Sequence, residues 1–325
     1  MGAPSQPSAP SSGAPGRGAG GRFFLFAGLA TLLVVALVAI DVVVLELNNP
    51  ARAASRHYYM ALGDSLSFGF QPNFNFTSGF VDDVFADLHK ANVTDLVNFA
   101  CAGETTTSMS IGGCPGRFDH HGSYTGPQLQ AALDFIRAHP GEVSPITVEI
   151  GSNDVLPDWD LPTCSAKSTA NADLTTMDLN LTQIILPRLV NALQAPSGFR
   201  PGDLHLLNYY NPFAKQCPGS AEFVHLLNEH LAADAAQFRI PVVDVYSAFG
   251  GDAGMAQNIC GDKPYTWFCD PQFHDIHPTN LGYQVIARAV EVGQGLPGAN
   301  PFPGLAPYLG AVAPGEANVQ RKRST

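Results

Sequence analysis

From residue 58 onwards, short apolar segments alternate with segments of helical periodicity, and this alternation constrains the fold more than any other feature of the sequence. Strands are predicted at 58–65, 95–102, 146–150, 204–210 and 242–246, and helices at 77–91, 127–139, 175–195, 220–238 and 279–293. Pro187 is expected to kink or split the third of these helices. Repeated strand-then-helix order predicts an α/β fold, a three-layer α/β/α sandwich around a five-stranded parallel sheet.

The beginning of the chain has a different composition from the rest. Residues 1–22 are rich in Pro, Gly, Ser and Ala and are predicted to be disordered. Residues 23–45 are apolar and long enough to cross a bilayer, and Arg17 and Arg22 before them place residues 1–22 in the cytoplasm. Two interpretations stay open: an uncleaved signal anchor that holds the protein in the membrane, or a signal peptide cleaved near Ala53. Both export the remainder, so we expect an extracellular or cell-surface protein.

The alternating pattern is confined to residues 54–293, which are predicted to form one domain. Residues 294–325 are rich in Pro and Gly and are expected to be mostly disordered. We expect a monomer. The formal net charge of −11 argues against a nucleic-acid partner, because phosphate binding relies on clusters of Lys and Arg.

The cysteines indicate disulfides rather than a metal site. All six follow the apolar N-terminal segment, and none forms a Cys-x-x-Cys pair, which argues against zinc. Six cysteines allow 15 pairings, and the sequence cannot select one of them. We favour the sequential pairing, because each bridge would then hold an irregular segment that follows a strand: Cys101–Cys114, Cys164–Cys217 and Cys260–Cys269.

Polar residues follow several predicted strands. Gly63-Asp64-Ser65-Leu66 follows the first strand, and on its own it could be an ordinary turn. Gly103 follows the second strand, Asn153 follows the third, and His277 precedes the last helix. The carboxyl ends of parallel strands share one edge of a sheet, so we expect these residues to meet in one crevice.

Together these residues suit acyl transfer. A serine becomes an effective nucleophile when a neighbouring base takes its proton, and His277 is the candidate base for Ser65. A tetrahedral intermediate needs donors aimed at its oxyanion. The candidate donors are the main-chain N–H groups of Ser65 and Gly103 and the Nδ2 of Asn153. No cofactor or metal is expected.

The four sequence blocks resemble those of the SGNH (GDSL) hydrolase superfamily. They are Gly-Asp-Ser-Leu, Gly103, Gly-Ser-Asn-Asp at 151–154 and His-Pro-Thr at 277–279, in the family's order along residues 57–293. The resemblance implies a flavodoxin-like fold, ester hydrolysis and an acyl-serine intermediate. With the export signal and the cysteines, the chain looks most like the secreted bacterial lipase/esterase branch. It has no Gly-x-Ser-x-Gly elbow, which counts against an ordinary α/β-hydrolase.

One position departs from the family's pattern. The family usually has an Asp three residues before the histidine, and here His274 occupies that position. We favour a Ser65–His277 dyad in which the main-chain carbonyl of His274 accepts a hydrogen bond from His277 Nδ1. Asp275 is the rival acceptor, although in an extended segment its side chain would point away from the ring.

These observations predict an exported serine esterase or lipase that hydrolyses carboxylic esters of small molecules or lipids. A carbohydrate acetylesterase of the same fold is the alternative within this class. An inactive, surface-anchored binding module is the alternative from another class. The aromatic stretch after the nucleophile, with Phe68, Phe70, Phe74 and Phe76, is either simple packing or an apolar wall for an acyl chain.

Overall fold

The computed structural model of the protein describes residues 56–114, 124–194 and 198–296. The predictions for residues 1–22 and 23–45, the cleavage site near Ala53 and nearly all of the 294–325 tail lie outside these ranges. Across the described residues, no helix has both the length and the apolar character that crossing a bilayer requires.

Five parallel strands form the central sheet, as the sequence predicts. In chain order the strands are β1 (Tyr58–Gly63), β2 (Asp95–Asn98), β3 (Val143–Glu149), β4 (Trp159–Asp160), β5 (Ser165–Ala166), β6 (Leu204–Leu207) and β7 (Val242–Val243). The main sheet has the order β2-β1-β3-β6-β7, and β4 and β5 form a separate antiparallel pair. Counted along the main sheet alone, this is the 2-1-3-4-5 order of flavodoxin-like folds.

Helices cover both faces of the sheet. They are α1 (Ser65–Phe68), α2 (Phe80–Lys90), α3 (Thr106–Ile111), α4 (Gln128–Ala138), α5 (Ser152–Val155), α6 (Ala170–Asn180), α7 (Leu186–Leu193), α8 (Ser220–Gln237), α9 (Val245–Ala248), α10 (Gly251–Cys260) and α11 (Asn280–Gly293). Helix α2 packs against α11, while α4 packs against α7 and α6 against α8. The predicted three-layer α/β/α sandwich is therefore confirmed.

The core lies along the three central strands, β1, β3 and β6, which are buried on both faces. Met60 of β1 pairs with Ile146 of β3, which pairs in turn with Leu204 of β6, and all three side chains are inaccessible to solvent. Burial on both faces explains the continuous apolar run of β1. Strand β3 alternates apolar and polar residues, and its Thr147 and Glu149 are buried as well.

The helix predicted at 175–195 is divided in the structure. Helix α6 ends at Asn180, a π-helical turn follows at Leu181–Ile185, and α7 begins at Leu186. Pro187 lies in the first turn of α7, directly after the π turn, in which Leu186 N donates to Leu181 O five residues back. The backbone stays helical through the junction, so the π turn interrupts the predicted helix beside the proline without ending it.

Several strands end before their predicted limits, because polar residues turn the chain at the carboxyl edge of the sheet. Strand β7 stops at Val243 because the Asp244 side chain accepts a hydrogen bond from Ser247 N and begins α9. Strand β1 stops at Gly63 because Asp64 caps α1 in the same way. These early ends place the following loops directly above the sheet.

Three carboxyl groups make the stability of the fold dependent on pH. Burial raises the pKa of Asp154 to about 6 and, with help from neighbouring carboxylates, raises the pKa of Asp234 and of Glu291 to about 7. The folded state then binds protons more tightly than the unfolded state between pH 4 and 7, so stability is lost as pH rises through this window. We expect Tm to fall by on the order of 5 °C between pH 5 and pH 8.

The measurement is thermal unfolding of the wild type beside the double variant Asp234→Asn/Glu291→Gln. The variant should lose less stability than the wild type over the same pH interval, because two of the titrating groups are gone. Identical pH profiles for the two proteins would contradict the assignment.

Candidate active site

Ser65 lies at the sharp turn between β1 and α1. Gly63 has φ 134°, and a Cβ atom there would lie 1.9 Å from the main-chain oxygen of Glu149, so the position needs glycine. Asp64 Oδ1 accepts a hydrogen bond from Leu66 N at 3.0 Å and holds the turn. The serine is therefore presented at the carboxyl edge of the sheet by a backbone that few sequences can adopt.

His277 reaches Ser65 from the loop before α11. Its Nε2 lies 2.7 Å from Ser65 Oγ, the distance of a strong hydrogen bond. The ring of Phe70 covers the imidazole, with the two ring centroids 4.5 Å apart. The structure thus brings together two residues that are 212 positions apart in the chain.

Asp275, and not the His274 carbonyl, contacts the far side of the imidazole. Asp275 Oδ1 lies 2.6 Å from His277 Nδ1, so the favoured expectation of a carbonyl acceptor is corrected. The reason is that the segment is not extended. His274 has φ 46°, and Asp275 Oδ1 also accepts a hydrogen bond from His277 N at 2.9 Å, which turns the side chain back towards the ring.

The surroundings of Asp275 stabilise the ionised form of its carboxyl group. Burial works to raise its pKa, but the hydrogen bonds and charge of His277 outweigh burial, and the pKa of Asp275 lies below its usual value. Asp275 therefore stays ionised at neutral pH, as a group that stabilises an imidazolium must.

The three candidate oxyanion donors lie around the same space. Gly103, with φ 83°, is in the loop after β2, and Asn153 is on α5 directly after β3. Asn153 Nδ2 donates to Asp64 Oδ2 at 3.1 Å and to the main-chain oxygen of Glu104 at 3.0 Å. Within the described residues, the N–H groups of Ser65 and Gly103 make no hydrogen bond.

A cavity of about 340 Å³ opens beside Ser65 and His277. Its walls are mainly apolar. They come from α1, α5, α8 and the residues that follow α1 and α5, and from the loops after β2, after β6 and before α11. The apolar lining residues are Leu66, Phe70, Ala102, Val155, Leu156, Tyr209, Tyr210, Pro212, Phe213, Phe223, Val224, Leu227 and Ile276.

Most of this wall was missed by the sequence analysis. Of the aromatic stretch after the nucleophile, Phe70 lines the cavity, whereas Phe68 is buried and Phe74 is 70% exposed. The loop from Tyr209 to Phe213 directly follows β6, so the strand-end argument that found Ser65 also applied to it. The residues on α8 carried no such signal.

The six cysteines pair sequentially in the structure. The bridges are Cys101–Cys114, Cys164–Cys217 and Cys260–Cys269, and the first of them holds the loop that contains Gly103. Among the residues that the structure covers, His, Cys, Asp and Glu side chains form no group of three or more suited to a metal ion.

Comparison with solved structures finds similar chains at low identity. A lipase from a goat rumen metagenome is 19% identical, with coverage of 75% of this chain and 99% of that one and a TM-score of 0.48. An alpha/beta hydrolase enzyme from the metagenome of Lake Arreo is 19% identical (75% and 98% covered, TM-score 0.47). An acetylxylan esterase from Geobacillus stearothermophilus is 17% identical (75% and 96% covered, TM-score 0.47).

No curated protein matches the chain significantly. The sequence pattern of the GDSL-like lipase/acylhydrolase family, however, matches residues 61–285, from the middle of β1 into α11. This match spans more than half of the chain and includes Ser65, Gly103, Asn153 and His277. The protein therefore belongs to the GDSL-like lipase/acylhydrolase family.

Proposed function

We propose that the protein is an exported serine esterase that hydrolyses carboxylic esters with an apolar acyl group. The observation that carries this proposal is the hydrogen-bonded series Asp275–His277–Ser65 on the wall of an apolar cavity. Ester hydrolysis by a serine needs an activated nucleophile and a place for the acyl group, and the geometry supports both.

In the proposed reaction, Ser65 Oγ attacks the ester carbonyl while His277 Nε2 takes its proton. Asp275 stabilises the imidazolium that forms. His277 then returns the proton to the departing alcohol, which leaves an acyl group on Ser65. A water molecule, activated by His277 in the same way, attacks the acyl-serine and releases the carboxylic acid.

The developing oxyanion would be held by the N–H groups of Ser65 and Gly103 and by Asn153 Nδ2. For this, Asn153 would share with the oxyanion an N–H that now points to Asp64 or to Glu104. Removal of one such donor typically lowers kcat by about 10²–10³-fold.

Export is supported by the three disulfides, which form and persist in oxidising compartments. The apolar segment at 23–45 would direct it, as an anchor or as a cleaved signal peptide.

The cavity wall favours longer acyl chains over acetyl groups. Each methylene buried in an apolar pocket contributes about 0.8 kcal/mol, so kcat/KM should rise about fourfold per methylene until the cavity is full. The measurement is kcat/KM for p-nitrophenyl esters from acetyl to decanoyl, beside acetylated xylooligosaccharides. A clear preference for the acetylated sugars would instead support the carbohydrate acetylesterase.

A pair of variants tests whether this cavity holds the acyl chain. Leu227→Phe narrows the cavity and should shift the preference to shorter esters, with little change for the acetyl ester. Leu179→Phe is the matched control, because Leu179 is 49% exposed and does not line the cavity. Equal profiles for both variants would show that the acyl chain lies elsewhere.

A further inference from the structure

Two buried carboxyl groups lie behind the nucleophile, and the proposed reaction does not use either of them. Asp64 and Glu149 are each 1% exposed. The pairing of β1 with β3 sets Gly63 opposite Glu149, and Asp64 N donates to the main-chain oxygen of Glu149 at 3.1 Å. The two side chains therefore leave adjoining strand ends and enter the same buried space, where two negative charges would repel strongly.

More hydrogen-bond donors surround one of these carboxyl groups than the other. Glu149 Oε2 accepts from Ser67 N at 3.3 Å, and Glu149 Oε1 has no partner in the described part of the chain. Asp64, in contrast, accepts from Leu66 N at 3.0 Å, Ser152 Oγ at 3.1 Å, Asn153 Nδ2 at 3.1 Å and Tyr209 OH at 3.4 Å. The surroundings therefore support a negative charge on Asp64 and do not support one on Glu149.

The two carboxyl groups also accept hydrogen bonds from consecutive main-chain N–H groups, Asp64 Oδ1 from Leu66 N and Glu149 Oε2 from Ser67 N, which holds them side by side. Two carboxylates buried side by side need a proton between them, as in other buried carboxyl pairs. Burial and the neighbouring Asp64 charge raise the pKa of Glu149 well above its usual value. The hydrogen-bond donors around the pair and its electrostatics therefore both favour a proton on Glu149.

We propose that Glu149 is a protonated acid that donates its hydrogen to Asp64, and that the pair acts as a positioning unit for Asn153. This inference rests on the proposed function, in which Asn153 stabilises the oxyanion. The hydrogen bond from Glu149 occupies a lone pair of Asp64 and draws off part of its charge. Asp64 then holds the Asn153 amide in place without competing fully with the oxyanion for its N–H.

The first test is spectroscopic and does not require activity. An infrared difference spectrum of the full chain at pH 7, wild type minus Glu149→Gln, should contain the C=O stretching band of a protonated carboxylic acid, with a downshift in D₂O. Glutamine preserves the shape and the neutrality of the side chain but has no such band. A spectrum that shows the loss of a carboxylate band instead would overturn the proposal.

The second test compares kcat with KM. Glu149→Gln keeps an N–H donor towards Asp64 and should retain kcat within about threefold, since the charge on the pair is unchanged. Glu149→Leu removes the donor and should lower kcat by about 10²–10³-fold, the cost of a misplaced oxyanion donor. KM should change by less than about twofold in both variants, because Glu149 does not line the cavity.

Thr147→Val tests whether a loss of kcat comes only from general destabilisation of β3. Thr147 is buried on the same strand and hydrogen bonds to Tyr59 OH at 2.9 Å, away from Asp64. This variant should lower Tm and leave kcat unchanged.

The positioning role is refuted if Glu149→Leu keeps the wild-type kcat or if Glu149→Gln loses as much kcat as Glu149→Leu. If the wild type hydrolyses no ester, the proposed function and the role of Asn153 fail together, while the infrared band still decides the protonation of Glu149.

Discussion

Replacing Ser65 with alanine is expected to lower kcat for ester hydrolysis by about 10⁶-fold, the loss typical of removing a serine nucleophile. The hydroxyl lies 2.7 Å from His277 Nε2, and within the described residues no other hydroxyl hydrogen bonds to this nitrogen. The measurement is kcat on the best ester of the acyl series. In parallel, a fluorophosphonate should add to the wild type at Ser65, located by peptide mass spectrometry, and should leave the Ser65→Ala variant unmodified.

Ser67→Ala is the matched control for this substitution. Ser67 is on the same short helix, and its hydroxyl donates to the main-chain oxygen of Leu62 at 3.0 Å, away from the imidazole. Its loss should reduce stability and leave kcat and labelling intact. His277→Ala should cost about as much as Ser65→Ala, and the double variant no more, because residues that act as one unit are not additive. Absence of labelling in the wild type would favour the inactive binding module.

The fold was predictable because its signal is local. The continuous apolar run around Met60 and the β-branched residues around Ile146 indicate strands, and the helices between them follow from their periodicity. The limits of the elements were less predictable, because they depend on side-chain caps. Asp244 ends β7 by starting a helix, and a run of apolar residues contains no information about that choice.

The residues of the site also differ in how well the sequence predicts them. Ser65, Gly103 and Asn153 could be placed together from sequence because each follows a strand and parallel strands share one carboxyl edge. Asp275 could be named only as one of two candidate acceptors for His277, because the contact depends on a loop residue, His274, with φ 46°. The apolar wall from α8 was not predicted either, since apolar residues on a helix mark a core position and a pocket position alike.

The second large expected effect concerns Asp275, in the loop before α11. Asp275→Asn should lower kcat by about 10⁴-fold with a small change in KM, as expected for the acid of a triad. Asparagine keeps an oxygen that can accept from His277 N and so preserves the turn. His277 N and His277 Nδ1 both contact the same oxygen, Asp275 Oδ1, so an amide oxygen there can accept from both. It lacks the negative charge that stabilises the imidazolium formed when His277 takes the proton of Ser65. The measurement is kcat and KM on one ester, with circular dichroism to establish the fold.

Two further variants make the result decisive. Asp270→Asn is the matched control, because Asp270 accepts from Gln272 N and Phe273 N in the same loop and should leave kcat within about threefold. Asp275→Ala removes both the charge and the acceptor of the turn, so it should be at least as slow as Asp275→Asn and less stable. If Asp275→Asn keeps kcat within about tenfold of the wild type, the carboxylate is not the working partner of His277. The site would then work as a Ser65–His277 dyad that does not need the charge of Asp275.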